Sequence, residues 1–177
     1  ESLEPWATWP METGTRSKVR IYTAAVSPEG TLLATGRGDG QLQLWDLATG
    51  QPGQETKAHT RSITGIDFSP DGTAVATGSE DALIKIWRVS DLKTEAILKG
   101  HVLGVHSIAY APDGSRLVSG SVDKQAIKVW DMATYQELIT LKAEGATFQH
   151  THFTADGKSL GSVNEEGTLY LWSAATP

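Results

Sequence analysis

Cysteine is absent from all 177 residues. That removes disulfides, thiolate zinc sites and cysteine nucleophiles, and it suits a reducing, cytoplasmic setting. Basic charge is in deficit: 15 Lys and Arg stand against 21 Asp and Glu, a net charge of −6. A phosphate-backbone binder normally carries a basic face, so nucleic acid is not an expected partner. No apolar stretch reaches the ~18 residues that a membrane-spanning helix needs, and no cleavable secretory signal opens the chain; a membrane partner is not expected either. Segments with helical length and a 3.6-residue period are missing as well. The first residue is Glu1 rather than Met, and the true termini are treated as unknown.

What the chain does contain is a beat. Trp45, Trp87, Trp130 and Trp172 are 42, 43 and 42 residues apart, a spacing that signals one supersecondary unit written four times. Turn sequences keep the same phase: Ser27-Pro28-Glu29-Gly30, Ser69-Pro70-Asp71-Gly72, Ala111-Pro112-Asp113-Gly114 and Thr154-Ala155-Asp156-Gly157. The second unit reads most simply. Residues 62–68 form a strand-like stretch ended by a turn that Pro and Gly dihedrals favour. Residues 74–78 follow, then a polar turn at 79–81, then the alternating run 83–87, and residues 95–98 make a fourth, outer strand. Four short antiparallel strands repeated radially make a propeller blade, so the fold class is all-β. The expected division is a segment at 1–17 and four blades at about 18–57, 58–99, 100–141 and 142–177.

These residues resemble the WD-repeat (WD40) β-propeller family from about Lys18 to Trp172. The family pattern is a Gly-His pair before the first strand, an Asp in the turn before the third, and Trp-Asp closing the third. Gly100-His101, Asp123 and Trp130-Asp131 match it in full; the second unit has Ala58-His59, Asp81 and Trp87-Arg88. The first has Asp39 and Trp45-Asp46, with Ser17 where His is expected. The fourth has drifted, to Glu144, Glu166 and Trp172-Ser173. The resemblance implies a hydrogen-bonded tetrad inside a blade: His59, Thr77, Asp81 and Trp87 in the second, and His101, Ser119, Asp123 and Trp130 in the third. Such buried polar chains are favourable only when every member is satisfied. The third unit carries one extra residue in Asp123-Lys124-Gln125-Ala126, read as a bulge or enlarged turn.

Other constellations are better explained by structure than by chemistry. His59, Asp81 and a nearby hydroxyl mimic an acid–base set, but the tetrad accounts for them. His150 and His152 share a strand face, and with His106 they belong to first strands, which line a propeller's channel. No third ligand has fixed spacing to them, so no metal is assigned. Gly36-Arg37-Gly38-Asp39-Gly40 occupies a strand-to-strand turn and precedes no helix, which a phosphate cradle needs. Neither a cofactor nor a catalytic residue is assigned. Glu144, Glu165 and Glu166 read as drift after loss of the tetrad, and Trp6 and Trp9 as an outer strand packing its rings on a blade.

The resemblance implies a non-catalytic scaffold that binds a protein or peptide through the loops before the first strands and between the second and third. Those loops carry Lys18, Arg61, Leu103 and Thr147 in one set and Arg37, Glu80, Val122 and Glu165 in the other. The alternative is the regulatory C-terminal end of a larger enzyme, such as a kinase or protease, with catalysis encoded elsewhere. After Trp172 too few residues remain for an outer strand, whereas the N-terminal segment at 1–17 reaches the positions one period before Glu55-Thr56-Lys57 and carries the expected Trp6–Met11 strand. Two closures are expected from this strand count. Either the four blades are part of a longer ring, or two copies pair into an eight-bladed ring, each N-terminal strand completing the other's fourth blade.

Overall fold

The computed structural model describes residues 20–122, 127–144 and 147–173. The expectations for Trp6, Trp9, Ser17, Lys18 and Asp123-Lys124-Gln125-Ala126 lie outside the described residues. All described regular structure is β. Blade 1 is β1 (Ile21–Val26), β2 (Leu32–Arg37), β3 (Gln41–Asp46) and β4 (Pro52–Lys57); blade 2 is β5 (Ile63–Phe68), β6 (Ala74–Ser79), β7 (Leu83–Arg88) and β8 (Thr94–Lys99). Blade 3 is β9 (Val105–Tyr110), β10 (Arg116–Ser121), β11 (Ile127–Asp131) and β12 (Glu137–Leu141). Blade 4 has three described strands, β13 (Phe148–Phe153), β14 (Ser159–Asn164) and β15 (Leu169–Ser173). Within each blade the strands pair antiparallel in chain order.

The four in-phase turns do what their sequences suggest. Gly30, Gly72, Gly114 and Gly157 all have φ between 67° and 72°, the left-handed region open to glycine at little cost. Each amide closes the turn on the residue three before it, at 2.8–2.9 Å. Asp71 and Asp113 then accept the amides two residues on, at 3.0 Å.

Inner strands β1, β5, β9 and β13 lie side by side, and apolar residues join each blade to the next. Ala34, Leu42 and Leu44 of blade 1 meet Ile63, Ile66, Phe68 and Val75 of blade 2. Ala76, Ile84 and Ile86 meet Val105, Ile108 and Leu117 in the next joint. Val118, Ile127 and Val129 meet Phe148 and Leu160 in the third. Every joint also has a knob and a notch. Ile63, Val105 and Phe148 are fully buried, and each faces a glycine of the preceding blade. A Cβ on Gly36 would fall 2.6 Å from Ile63 Cγ2, one on Gly78 2.7 Å from Val105 Cγ1, and one on Gly120 2.6 Å from the Phe148 carbonyl oxygen. Only glycine leaves room for the neighbour's strand.

One irregularity recurs in all four blades. The pairing of the first with the second strand slips once, between Ile21 and Thr23, Ile63 and Gly65, Val105 and Ser107, and Phe148 and His150. Tyr22, Thr64, His106 and Gln149 are therefore bulged residues, which a ladder leaves unpaired and re-aims.

Candidate functional site

The polar interior of blade 2 is a chain of four side chains. Trp87 Nε1 donates to Thr77 Oγ1 at 2.9 Å, and that oxygen lies 2.8 Å from His59 Nε2. His59 Nδ1 lies 3.0 Å from Asp81 Oδ1, whose carboxylate also accepts the Thr60 and Leu83 amides at 3.0 and 3.2 Å. A carboxylate only accepts, so Nδ1 carries the proton. With the ring neutral, Nε2 accepts from the Thr77 hydroxyl. Burial pushes the His59 imidazole below its ordinary value of 6.5, outweighing the pull of Asp81. At Asp81 burial works in the raising direction, but the Thr60 amide, His59 and the Leu83 amide together hold the carboxyl below its ordinary value.

Protonating His59 therefore opposes folding. The stability carried by the neutral ring is complete above pH 6.5 and is lost as pH falls through the lower folded value. Urea unfolding at pH 7.5, 6.5 and 5.5 is expected to show stability decreasing toward acid, and His59→Gln to flatten the slope. An unchanged slope in that variant would remove His59 from the account.

Blade 3 repeats the inner half of the chain: Trp130 Nε1 to Ser119 Oγ at 2.8 Å, and His101 Nε2 to the same oxygen at 2.6 Å. Blade 1 keeps Trp45 Nε1 to Thr35 Oγ1 at 2.8 Å, and there Asp39 pairs with Arg37 at 2.9 Å. Blade 4 is organised differently. Tyr170 Oη donates to the Glu144 carbonyl at 2.7 Å and accepts the Glu144 amide at 3.1 Å, while Asn164 Nδ2 donates to the same carbonyl at 3.2 Å. Trp172 stacks on Tyr170 with ring centres 5.6 Å apart. Sequence reasoning missed Asn164 and Tyr170, which take the register positions of Ser79 and Lys85 in blade 2, positions that no motif residue marks.

The loop residues follow one rim. Ser79 Oγ donates to the Arg61 carbonyl at 3.4 Å, and the Glu80 amide to Ser62 at 3.1 Å. Ser121 Oγ reaches the Leu103 carbonyl at 3.2 Å, and the Glu165 amide reaches Thr147 at 3.1 Å. Arg61, Glu80, Leu103 and Glu165 are exposed and Val122 half-buried. Arg37 and Thr147 differ from the expectation: they are 8% and 6% exposed, because Arg37 folds onto Asp39 and Thr147 is enclosed beside Phe148. Their side chains are not contact surface. Val102, absent from the expectation, is 79% exposed beside Leu103 at 46%.

Below the rim the four inner strands enclose a cleft of about 330 Å³, lined by the bulged Tyr22, His106 and Gln149 together with Thr64, His150 and His152. Among the described residues no three His, Asp or Glu side chains gather as a metal would require.

Four sheets of one register, three Trp–hydroxyl bonds at equivalent positions and a His–Asp pair locked to one of them reproduce the repeat in three dimensions. The WD domain, G-beta repeat family matches residues 10–46, 50–88 and 92–131. The chain belongs to the WD-repeat family. The three matched repeats underlie blades 1 to 3. Blade 4 falls beyond them, its motif residues replaced while its WD-type strand register is kept.

Two curated WD-type relatives match one stretch each. Mitochondrial division protein 1 of Malassezia globosa is 39% identical over 59 residues, which is 33% of this chain and 9% of that protein. Ribosome biogenesis protein erb1 of Neosartorya fischeri is 43% identical over 51 residues, 29% of this chain and 6% of that one. The aligned stretches thus span under a tenth of either relative. WD repeats build protein-interaction scaffolds and are generally non-catalytic.

Proposed function

We propose that this chain is a protein-recognition module that holds a protein or peptide against the rim carrying Arg61, Glu80, Leu103, Val122 and Glu165. The observation that carries this reading is the exposure of Val102 and Leu103 together on the loop before β9. Two adjacent apolar side chains held out into water, flanked by charged residues, have the composition of an interface centre with a polar rim. The ligand that fits is a peptide or loop with an apolar anchor, its charged flanks met by Arg61 and Glu80. The same reading leaves the ring to be completed outside these four blades.

Peptides selected from a displayed random library against the wild-type chain are expected to share an apolar anchor. Val102→Asp combined with Leu103→Asp is expected to weaken them at least about tenfold, the scale of one lost interface anchor, with melting unchanged. Ligands that bind the double variant equally well would place recognition on another face.

A further inference from the structure

Among the described residues the face of blade 4 turned away from blade 3 is open, and it departs from the three joints inside the chain at the notch position. Gly36, Gly78 and Gly120 occupy the same register position, opposite Thr23, Gly65 and Ser107 of the first strand. In blade 4 that position, opposite His150, is Val163. Each glycine is the notch that receives the next blade's knob, and each would collide with that knob if it carried so much as a Cβ. Val163 carries a Cβ and two methyls and stands half-buried on the open side. Beside it, Leu169 and Leu171 are 60% and 72% exposed, whereas their counterparts Ile127 and Val129 in blade 3 are at 0% and 7%. The face is as apolar as its counterparts, yet its notch is filled.

At the other end of the arc the knob is present. Ile21 pairs with Arg37 as Ile63 pairs with Ser79 and Phe148 with Asn164. Unlike those buried knobs, it is 37% exposed, and Val26 on the same strand is 55% exposed. Apolarity alone would let blade 1 of one copy dock on blade 4 of another, a heterologous contact that closes into a ring or runs on into a filament. Shape opposes it, since Ile21 would be driven into Val163.

We propose that Val163 is a steric bar to head-to-tail self-assembly, so that blade 4 refuses a second copy's blade 1 despite an apolar face on each. Discrimination by a built-in clash, rather than by a better contact elsewhere, is an established route to specificity. The paired eight-bladed ring is thereby disfavoured, and a blade whose inner strand opens on a small residue is what the face accepts.

Light scattering on the 177-residue chain across a concentration series tests this. The wild type is expected at its single mass of 19.0 kDa. Val163→Gly empties the notch and is expected to move the mass toward twice that value or beyond as concentration rises. Val163→Ala keeps the Cβ and is expected to stay single. Adding Ile21→Asp to Val163→Gly is expected to restore the single mass. Ile21→Gly, which removes the knob instead, is the route if Val163→Gly does not fold, and it should also associate. A wild type already paired overturns the proposal, as does a Val163→Ala chain that associates like the glycine variant. So does a folded chain, carrying either glycine substitution, that stays single.

Discussion

Thr77→Val is expected to lower stability by about 2–5 kcal/mol, the sum of two orphaned buried polar groups. Thr77 is fully buried, and its one oxygen serves both Trp87 Nε1 and His59 Nε2. Valine matches threonine in shape, so the cavity is unchanged and the loss falls on hydrogen bonding. His59 would keep Asp81 on one side and lose its partner on the other, while the Trp87 indole N–H would face a methyl group. For a chain of this size the loss corresponds to a fall in melting temperature of roughly 5–15 °C. Thr77→Ser, which restores the hydroxyl found naturally as Ser119 in blade 3, is expected to recover most of it. Equal melting of the valine and serine variants would show that the tetrad carries little of blade 2's stability.

Phe148→Ala is expected to cost about 3–5 kcal/mol, the range for deleting a buried aromatic side chain, and to loosen blade 4 before the others. Phe148 is fully buried between blades 3 and 4, among Val118, Ile127, Val129 and Leu160, and meets Tyr170 edge to face at 5.8 Å between ring centres. Among the described residues blade 4 has a packed neighbour on one side, so this joint supports it most directly. Amide hydrogen exchange is expected to accelerate across residues 148–173 while residues 63–99 keep their protection. Uniform acceleration, or none, would show that the joint is not where blade 4 is held.

The architecture was legible in the sequence because turns and tryptophans are local signals. A Pro-Asp-Gly turn states its own dihedrals, and a Trp every 42 or 43 residues states the repeat. The tetrad of blade 2 was legible through its motif, and the geometry joins all four of its members. What escaped were features defined by a neighbour. Gly36, Gly78 and Gly120 look like strand ends preceding turns, and their purpose exists only once the following blade supplies Ile63, Val105 and Phe148. Arg37 reads as a loop cation, but it turns inward because Asp39, two residues on, stands ready to accept it. In blade 4 Glu144 stands at the His position and its carbonyl is held by Tyr170 and Asn164 instead, an arrangement that no single position announces.

Tyr22, Thr64, His106 and Gln149 are four chemically unrelated residues at one equivalent position, each on a bulge that takes no part in the pairing of its sheet. The propeller thus separates two kinds of inheritance. Residues that build the joints are tied to their neighbours and can change only in company. Those lining the cleft hold no ladder bond of their own, and apart from Thr64, whose hydroxyl reaches the Val105 carbonyl of the next blade, they can change without touching a joint. A lineage of such chains can try out new ligands at these positions without first having to reinvent its fold.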